Sequence, residues 1–342
     1  MIKIYLTSIL IGSTLLLQGC NNNETSTTDI ISTAEYKGTG SVTYGIAETS
    51  TPNLFPQGGR IAEIGTIQSI NDDTTWTVPA EVNFTNDEIP FAPDLYNEYG
   101  QRYKDAETAL AALDAKDAKD AKDAIEVDAD GEVVTAYIFA DNYFEMYING
   151  IAVGKDPVPF TQFNANIIQF KVKKPFDIAV LAVDWEENLG TGTESNRGVS
   201  AHPGDGGVVA VFKDANDQTI AITDSTWKAQ NYYISPVSDL SCLTESGTSR
   251  LSTQCTIEGT NDASVLYGVH WAIPTGWKKQ GYDDSQWPAA TTFSNDTVGV
   301  DNKKSYTNFT NIFDNAEQDA QFIWSTNLNL DNKILLRKTV AK

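Results

Sequence analysis

From about residue 36 onward, the hydrophobic positions fall into short runs separated by Gly, Asn, Asp and Pro. Short runs rich in Val, Ile, Phe and Tyr and bounded by turn residues are typical of β-strands. Helical patterns do not alternate with these runs, which predicts an all-β fold, an antiparallel β-sandwich or jelly roll. The predicted strands are residues 61–70, 75–84, 133–139, 144–148, 167–172, 178–183, 207–212 and 218–222.

Two sequence signals predict the turns between these strands. Asn149-Gly150 stands between two apolar runs, and Asn-Gly in that setting indicates a tight β-hairpin. Residues 214–217, Asp-Ala-Asn-Asp, predict a second turn. Their side chains would also suit calcium, but the ordinary chemistry of turns explains them more simply.

One segment departs from the β pattern. Residues 106–124 contain Ala-Leu-Ala-Ala-Leu followed by a tandem Asp-Ala-Lys repeat, and Ala and Lys favour helix. A repeat of three residues keeps no fixed apolar stripe along a helix. The sequence therefore predicts a solvated helical insertion near residues 104–124.

The N-terminus carries a pattern typical of export. An apolar run over residues 4–17 follows Lys3, and it is too short to span a bilayer. The next residues, Leu-Gln-Gly-Cys ending at Cys20, resemble the lipobox of bacterial lipoproteins. In that family the cysteine is lipidated and becomes the first residue of the mature protein. An ordinary secretory signal with a chance cysteine is the alternative.

The lipobox resemblance implies a division of the chain and a location. Residues 1–19 would be a signal peptide, 20–35 a polar tether and 36–342 the folded body. Asn21 is not the aspartate that resembles an inner-membrane retention signal. We therefore expect an outer-membrane lipoprotein, with the lipid as its attachment to the membrane.

Cysteine usage and charge narrow the possible partners. Cys242 and Cys255 remain after Cys20, and outside the cytosol we expect them to form a disulfide, with a thiolate metal site as the alternative. The full chain has 24 basic and 46 acidic residues. Once Lys3 is removed with the signal peptide, 23 basic and 46 acidic residues remain, which gives a formal net charge of −23. Such an acidic chain is repelled by phosphate, so we expect no nucleic-acid binding.

Three stretches carry a resemblance to galactose-binding-like jelly rolls, including sugar-binding modules of bacterial glycosidases. The first is residues 141–154, an aromatic-rich strand followed by Asn-Gly and then Val-Gly. The second is residues 281–290, with Asp-Asp-Ser-Gln-Trp, and the third joins the Phe-Ile-Trp at 322–324 to the strand that follows. The resemblance spans residues 133–342, implies a jelly roll that binds carbohydrate, and leaves the first hundred residues unassigned.

The polar loop over residues 184–207 is the predicted ligand site. It follows an apolar strand and has over twenty residues without an obvious element, as binding loops often do. We expect Trp185 to stack on a sugar ring, with Glu187, Glu194 and Arg197 as polar contacts. The alternative is that Trp185 closes the end of the sandwich and the charges are solvated.

Metal binding is the competing hypothesis. Carboxylates of this loop, Asp184 and Asp205 among them, are hard oxygen ligands that suit calcium. His202 and His270 are the two histidines, and imidazole suits copper. The His270-Trp271 pair loosely resembles methanotroph surface proteins that bind copper with histidines and an oxidised tryptophan. Ordinary hydrogen-bonded histidines are the alternative.

Enzyme activity is not expected from this sequence. It contains no Gly-x-Ser-x-Gly, phosphate-binding loop, His-Glu-x-x-His or Cys–His pattern. A carboxylate pair of the glycosidase type is compatible with the composition, but nothing marks one pair above the rest. A structural or adhesion lipoprotein without a small ligand is the third functional class.

Overall fold

The computed structural model describes residues 36–97, 107–108, 111, 124–160, 163–195, 200–261, 263, 266–316 and 318–342. The predicted signal peptide, the lipidation site Cys20 and the tether lie outside the described residues, as does Arg197. Glu107, Thr108 and Ala111 are helical, and almost all of the remaining insertion predicted near 104–124 also lies outside them.

The described chain is built from short strands. In chain order they are β1 (Ser41–Tyr44), β2 (Glu48–Thr49), β3 (Gly65–Gln68), β4 (Thr75–Val78), β5 (Asp94–Asn97), β6 (Ile125–Glu126), β7 (Glu132–Asp141), β8 (Tyr143–Ile148), β9 (Ile151–Lys155), β10 (Asn164–Val172), β11 (Phe176–Val183), β12 (Thr193–Glu194), β13 (His202–Pro203), β14 (Gly207–Asp214), β15 (Thr219–Ile222), β16 (Lys228–Val237), β17 (Thr244–Ser246), β18 (Ser249–Leu251), β19 (Tyr267–His270), β20 (Thr291–Phe293), β21 (Phe322–Trp324) and β22 (Asp331–Val340).

The helices with described bounds are short. A 3-10 turn spans Leu240–Cys242, and three α-helices follow later in the chain, α1 (Asn295–Val298), α2 (Lys304–Thr307) and α3 (Thr310–Phe313). Within the described ranges, no helix has the length and apolar character needed to cross a bilayer.

Two large sheets form the body. The first has the order β1-β19-β16-β22-β11-β8-β9, and the second has the order β20-β21-β14-β7-β10-β5, with β15 and β6 paired to β14 and β10. Among these strands only β6 with β10 is a parallel pair. The all-β antiparallel sandwich expected from the sequence is confirmed.

The main core lies between the two sheets. Ile178 and Val180 of β11 belong to the same buried cluster as Ile168 and Phe170 of β10 and Phe212 of β14. Alternate positions of each strand point inward, as expected for packed sheets. The predicted runs at residues 167–172, 178–183 and 207–212 therefore supply the centre of the sandwich.

The opposite face of the seven-stranded sheet is also covered. All eight residues of β11 are buried, including Leu181 and Val183, which point away from the main core. Residues 36–92, apart from edge strand β1, and parts of the chain between β16 and β20 outside β19 pack on this face, so a third layer covers the sandwich. We call residues 36–92 the cover layer. Its partly buried apolar contacts include Leu54, Phe55, Ile64, Val82 and Phe84.

Buried charges attach the cover layer to the sheet. Lys155 of β9 donates from Nζ to the carbonyl oxygens of Asn83, Phe84 and Asn86 at 2.8, 2.7 and 2.7 Å. Glu145 of β8 accepts from the backbone N–H of Asn83 at 2.8 Å. Charge-assisted hydrogen bonds of this kind are stronger than neutral ones. The described residues 36–97, which the sequence left unassigned, thus belong to the folded body.

The predicted turns are confirmed. Asn149 and Gly150 have φ of 50° and 93°, the left-handed values that a two-residue hairpin turn requires, and they join β8 to β9. Residues 214–217 join β14 to β15, and Asp214 Oδ1 accepts from the N–H of Asn216 and Gln218 at 2.8 and 3.0 Å. Asp214 Oδ1 therefore accepts hydrogen bonds within the turn, which is the structural role expected from the sequence.

The Cys242–Cys255 disulfide predicted from the sequence is present, closing a loop with a sequence separation of 13. In the loop-entropy description a closure of this size stabilises the fold by about 3 kcal/mol.

The strand predicted over residues 75–84 is wrong after Val78, because Pro79 has no N–H to continue the ladder of hydrogen bonds.

Candidate functional site

The ends of two strands from opposite sheets meet at one end of the sandwich. β7 ends at Asp141, and β11 ends at Val183, which Asp184 follows. The N–H of Asn142 donates to the carbonyl of Val183 at 3.1 Å, which holds the two ends together. Carboxylates from both sheets are therefore delivered to the same place.

The loop after β11 returns more carboxylates to this end. β12 pairs with β13 so that Glu194 stands opposite His202, two residues before Gly204. A Cβ at Gly204 would lie 2.8 Å from Asp184 Oδ1 and 3.2 Å from Glu194 Oε1. Only glycine fits this close approach. We call Asp141, Asp184, Glu194 and Asp205 the acidic cluster.

Asp141 is one of the two most buried members of the acidic cluster. It is 3% exposed, and its Oδ1 accepts from the Asn142 side chain at 2.8 Å. Its Oδ2 is buried and has no hydrogen-bond partner among the described residues. Burial raises the pKa of Asp141 well above its ordinary value, and the charges of Asp205, Asp184 and Glu194 raise it further.

Asp184, Asp205 and Glu186 are also harder to ionise than usual. Burial, then the charges of Glu194 and Asp205, raise the pKa of Asp184 well above its ordinary value. Burial raises the pKa of Asp205 to about 6, with Glu194 adding to the effect. Neighbouring Glu186 has its pKa raised to about 7 by burial, although Gly192 N–H and the Tyr233 hydroxyl bind its carboxylate. These carboxyl groups are therefore held in their neutral form to higher pH than exposed ones.

One arginine of the cover layer enters the acidic cluster. Arg60 forms an ion pair with Glu194 through Nη1, and its Nε lies 3.9 Å from Glu187 Oε1. Its guanidinium lies over the ring of Phe160, 5.4 Å from the centroid. The charges of Lys303 and His202 act on Asp205 and lower its pKa somewhat against the effect of burial.

The expected sugar platform is wrong. Trp185 is 0% exposed, and its indole N–H donates to the carbonyl of Glu63 at 3.1 Å. Its ring meets Tyr143 edge to face at 5.7 Å between centroids. The cover layer encloses Trp185, so the alternative, a tryptophan that closes the end of the sandwich, is the one observed.

The expected polar contacts for a sugar are engaged within the protein. Glu187 Oε2 accepts from the N–H of Ser195 at 2.6 Å, and Glu194 is paired with Arg60. Arg197 lies outside the described residues. A sugar at this position would have to displace these internal partners.

The structure does not bring the two histidines together as copper ligands. His270 is buried between Trp76 and Tyr233, with ring centroids 5.2 and 4.3 Å away, and its Nε2 lies 3.0 Å from Thr43 Oγ1. The His202 side chain is exposed on β13, with Nδ1 2.9 Å from the Pro203 carbonyl. Burial lowers the pKa of His270 well below its ordinary value. His270 is thus a packed core residue.

Three or more His, Cys, Asp or Glu side chains arranged to hold a metal ion together are not found in the described part of the chain. Neither metal site proposed from sequence, copper at His202 and His270 or calcium at Asp184 and Asp205, is therefore part of a group of three such side chains around one ion in these residues. The charge of Asp205 does add to burial in raising the pKa of Asp184.

Sequence reasoning missed Asp141 and Arg60. Asp141 was visible as the polar residue that ends a predicted strand, two residues beyond 133–139. Arg60 gives no such signal, because its contact with Glu194 joins residues separated by 134 positions.

Comparison with models of known families, with curated proteins and with solved structures finds no match to this chain.

Trp185→Ala should lower the free energy of unfolding by about 3–5 kcal/mol, because it removes a fully buried indole and leaves a cavity. Urea denaturation followed by circular dichroism measures this change. Phe91→Ala is the matched control, since Phe91 is 49% exposed, and it should change stability by about 1 kcal/mol or less. An unchanged midpoint for Trp185→Ala would contradict its place in the core.

Proposed function

We propose that this chain is a lipid-anchored protein of the cell envelope whose β-sandwich binds calcium at the acidic cluster. The observation that carries the calcium site is Asp141, a buried carboxylate with one oxygen that no described residue contacts by hydrogen bonding. Three further carboxylates raise its pKa through their charges.

Desolvation favours a cation here. A buried carboxylate must be protonated, hydrogen-bonded or paired with a cation, because an isolated charge is strongly disfavoured in a low dielectric. Arg60 contacts Glu194 and lies near Glu187, whereas Asp141, Asp184 and Asp205 form no ion pair with any residue that the structure describes. A divalent cation would neutralise two of these charges at once.

The donor chemistry selects calcium among common metals. Every candidate ligand in the acidic cluster is an oxygen, and the buried His270 and the disulfide cysteines lie outside it. Calcium accepts six to eight oxygens in irregular arrangements, including peptide carbonyls and water, whereas magnesium demands a near-ideal octahedron. Because fewer than three acidic side chains are spaced to hold an ion together, carbonyl and water oxygens would complete the shell.

The burial of these carboxylates also favours an ion over a sugar as the ligand. Asp141 and Asp184 are each 3% exposed, so their carboxylates present no surface to a sugar ring. An ion needs only a gap of its own size between them. The acidic cluster therefore favours a cation as its ligand.

Calcium should raise the free energy of unfolding of the wild-type protein. With free calcium about 100-fold above the dissociation constant, the increase is about 2.7 kcal/mol. Thermal unfolding in EDTA and in calcium, together with isothermal titration calorimetry, measures the effect. Magnesium at the same concentration should give a smaller shift.

Asp141→Asn is the diagnostic variant, and Asp130→Asn is its control because the Asp130 side chain is 76% exposed and paired with Lys173. Asp141→Asn should be more stable than wild type in EDTA, since it removes a carboxyl group whose burial is unfavourable, and should lose most of the response to calcium. Asp130→Asn should respond as wild type does. Equal calcium responses in wild type and Asp141→Asn would contradict this site.

The lipid anchor rests on the lipobox resemblance at Cys20. Several acyl chains, each methylene contributing about 0.8 kcal/mol, would hold the protein firmly on a membrane. Cells expressing the full chain should incorporate labelled palmitate into the protein, and Cys20→Ser should abolish both the label and recovery with membranes. Label retained by Cys20→Ser, or wild-type protein recovered unlabelled from the cytosol, would contradict the anchor.

Carbohydrate binding, with the galactose-binding-like resemblance, is the second candidate, and the observation in its favour is Phe91. Its half-exposed ring lines a groove of about 180 Å³ together with Pro90, Pro93 and Gln169. An aromatic face beside a polar side chain is a feature of many ligand sites. A glycan array that compares wild type with Phe91→Ala tests this candidate.

A further inference from the structure

The second sheet has a gap along one edge. β5 pairs with β10 at residues 164–166, and β6 pairs with β10 at Phe170 and Lys171. Residues 167–169 of β10 therefore have β7 on one side and no strand of the described chain on the other. The edge of a sheet presents backbone N–H and carbonyl groups to whatever lies against it.

Two backbone groups face this gap without a partner. The N–H of Ile167 donates to the carbonyl of Pro93 at 3.0 Å, but a proline has no N–H to donate in return. The carbonyl of Lys171 accepts from Val127 at 3.0 Å on the same edge. Because alternate residues direct their backbone groups to the same edge, the N–H of Gln169 also points there. Among the described residues, neither the Ile167 carbonyl nor the Gln169 N–H has a hydrogen-bond partner.

An apolar groove lies along the gap, with Ile167 and Gln169 in its wall. It has a volume of about 180 Å³, and we call it the edge groove. Pockets that enclose a whole small ligand usually have about 300–1,000 Å³, so the edge groove suits a single substituent of a larger ligand. Its lining carries no charge and includes Pro90, Phe91, Pro93, Ile125 and Val153.

Phe91 supplies the exposed aromatic surface of the edge groove. Its side chain is 49% exposed. Lys155 Nζ lies 4.4 Å from the centroid of its ring, and the Phe84 ring meets it edge to face at 5.1 Å between centroids. These two contacts hold the ring in place and leave about half of it open to solvent. A sugar ring can pack on this surface while one of its substituents enters the groove.

The chemistry of the edge groove selects an acetamido group among the common substituents of sugars. Its methyl group suits the proline, isoleucine and valine side chains, and its carbonyl oxygen can accept from the Gln169 N–H. A neighbouring sugar hydroxyl can donate to the Ile167 carbonyl. A bare hydroxyl in the groove would be surrounded by apolar groups, which costs free energy. An amine or a carboxylate would lose its hydration without an ion-pair partner.

We propose that the edge groove binds the acetamido group of N-acetylated amino sugars, a specificity that rests on carbohydrate binding, the second candidate function. Phe91 contacts the sugar ring, and the backbone of Ile167 and Gln169 fixes the acetamido group. Acetylated lysine side chains carry the same acetamido chemistry. They lack a sugar ring to pack on Phe91 and a hydroxyl to reach the Ile167 carbonyl, so amino sugars are the better fit.

A glycan array of matched pairs, with the wild-type protein, tests the proposal. Each pair sets an N-acetylhexosamine against the hexose that has a hydroxyl in place of the acetamido group, N-acetylglucosamine with glucose and N-acetylgalactosamine with galactose. The N-acetylated members should bind at least about tenfold more tightly, because the hexose leaves the Gln169 N–H unsatisfied. A peptide that contains acetyl-lysine should bind at least about tenfold more weakly than the best amino sugar.

Gln169→Pro removes the N–H that faces the gap, and Gln169→Ala retains it and is the matched control. Proline is tolerated at a strand edge where the N–H has no partner in the ladder. Gln169→Pro should weaken binding of the best N-acetylated glycan by about tenfold and bring it close to that of the matched hexose. Gln169→Ala loses only the side chain and should bind within about threefold of wild type.

The outcomes separate this specificity from carbohydrate binding itself. Equal affinity for both members of every pair, with binding lost in Phe91→Ala, overturns the acetamido specificity and leaves carbohydrate binding. Binding to no glycan, whether or not the acetyl-lysine peptide binds, overturns both. A folded Gln169→Pro that binds as tightly as wild type overturns the edge groove as the site. If Gln169→Pro does not fold, the matched pairs with wild type still decide the specificity.

Discussion

A carboxylate that is taken out of water must acquire a proton, hydrogen bonds or a cation, and this constraint shapes the protein wherever its acids are buried. Asp331 accepts from the hydroxyls of Ser252 at 2.7 Å and Ser325 at 2.6 Å. Asp177 faces Arg337 at 3.2 Å. Even Asp156, which leaves one oxygen unpartnered, accepts two hydrogen bonds at its other oxygen. The acidic cluster has fewer such partners than these sites.

The cover layer helps to exclude water from the carboxylates at the end of the sandwich, so the cost of burying a carboxylate applies there. In a two-layer sandwich, the loops at the strand ends would meet solvent. Here residues 36–92 pack on the outer face of the seven-stranded sheet, hold Trp185 through Glu63 and deliver Arg60. The same layer therefore buries the acids and supplies part of their neutralisation.

The local features of the fold were predictable because their causes are local. The Asn149-Gly150 hairpin follows from the conformations those two residues allow, and the strands at 167–172 and 178–183 follow from their apolar composition. Continuous apolar character over β11 was also a signal that both of its faces are covered. That signal predicts a third layer, although it does not say which part of the chain provides it.

The site was less predictable because it is assembled from distant segments. Trp185 was placed on the surface because its polar neighbours suggested an exposed loop, whereas contacts with residues 122 positions earlier enclose it. Asp184 was predicted as a metal ligand from the sequence. Its neighbours Asp141 and Arg60 were not predicted, because tertiary packing brings them near and the hydrophobic periodicity carries no information about that packing. His202 and His270 were paired only because they are the two histidines, and the fold places one on the surface and the other in the core.

We propose that protons and calcium compete to neutralise the carboxylates at the end of the sandwich. Calorimetric calcium titrations at pH 6.5, in buffers of different ionisation enthalpy, measure the protons released per ion bound. Burial raises the pKa of Asp205 to about 6 and that of Glu186 to about 7, and it also raises the pKa values of Asp141 and Asp184 above their ordinary values, so part of these carboxyl groups is protonated in the calcium-free protein at pH 6.5. Binding should release on the order of one proton at pH 6.5 and fewer at pH 8. Calcium binding without proton release, or no calcium binding, would contradict the account.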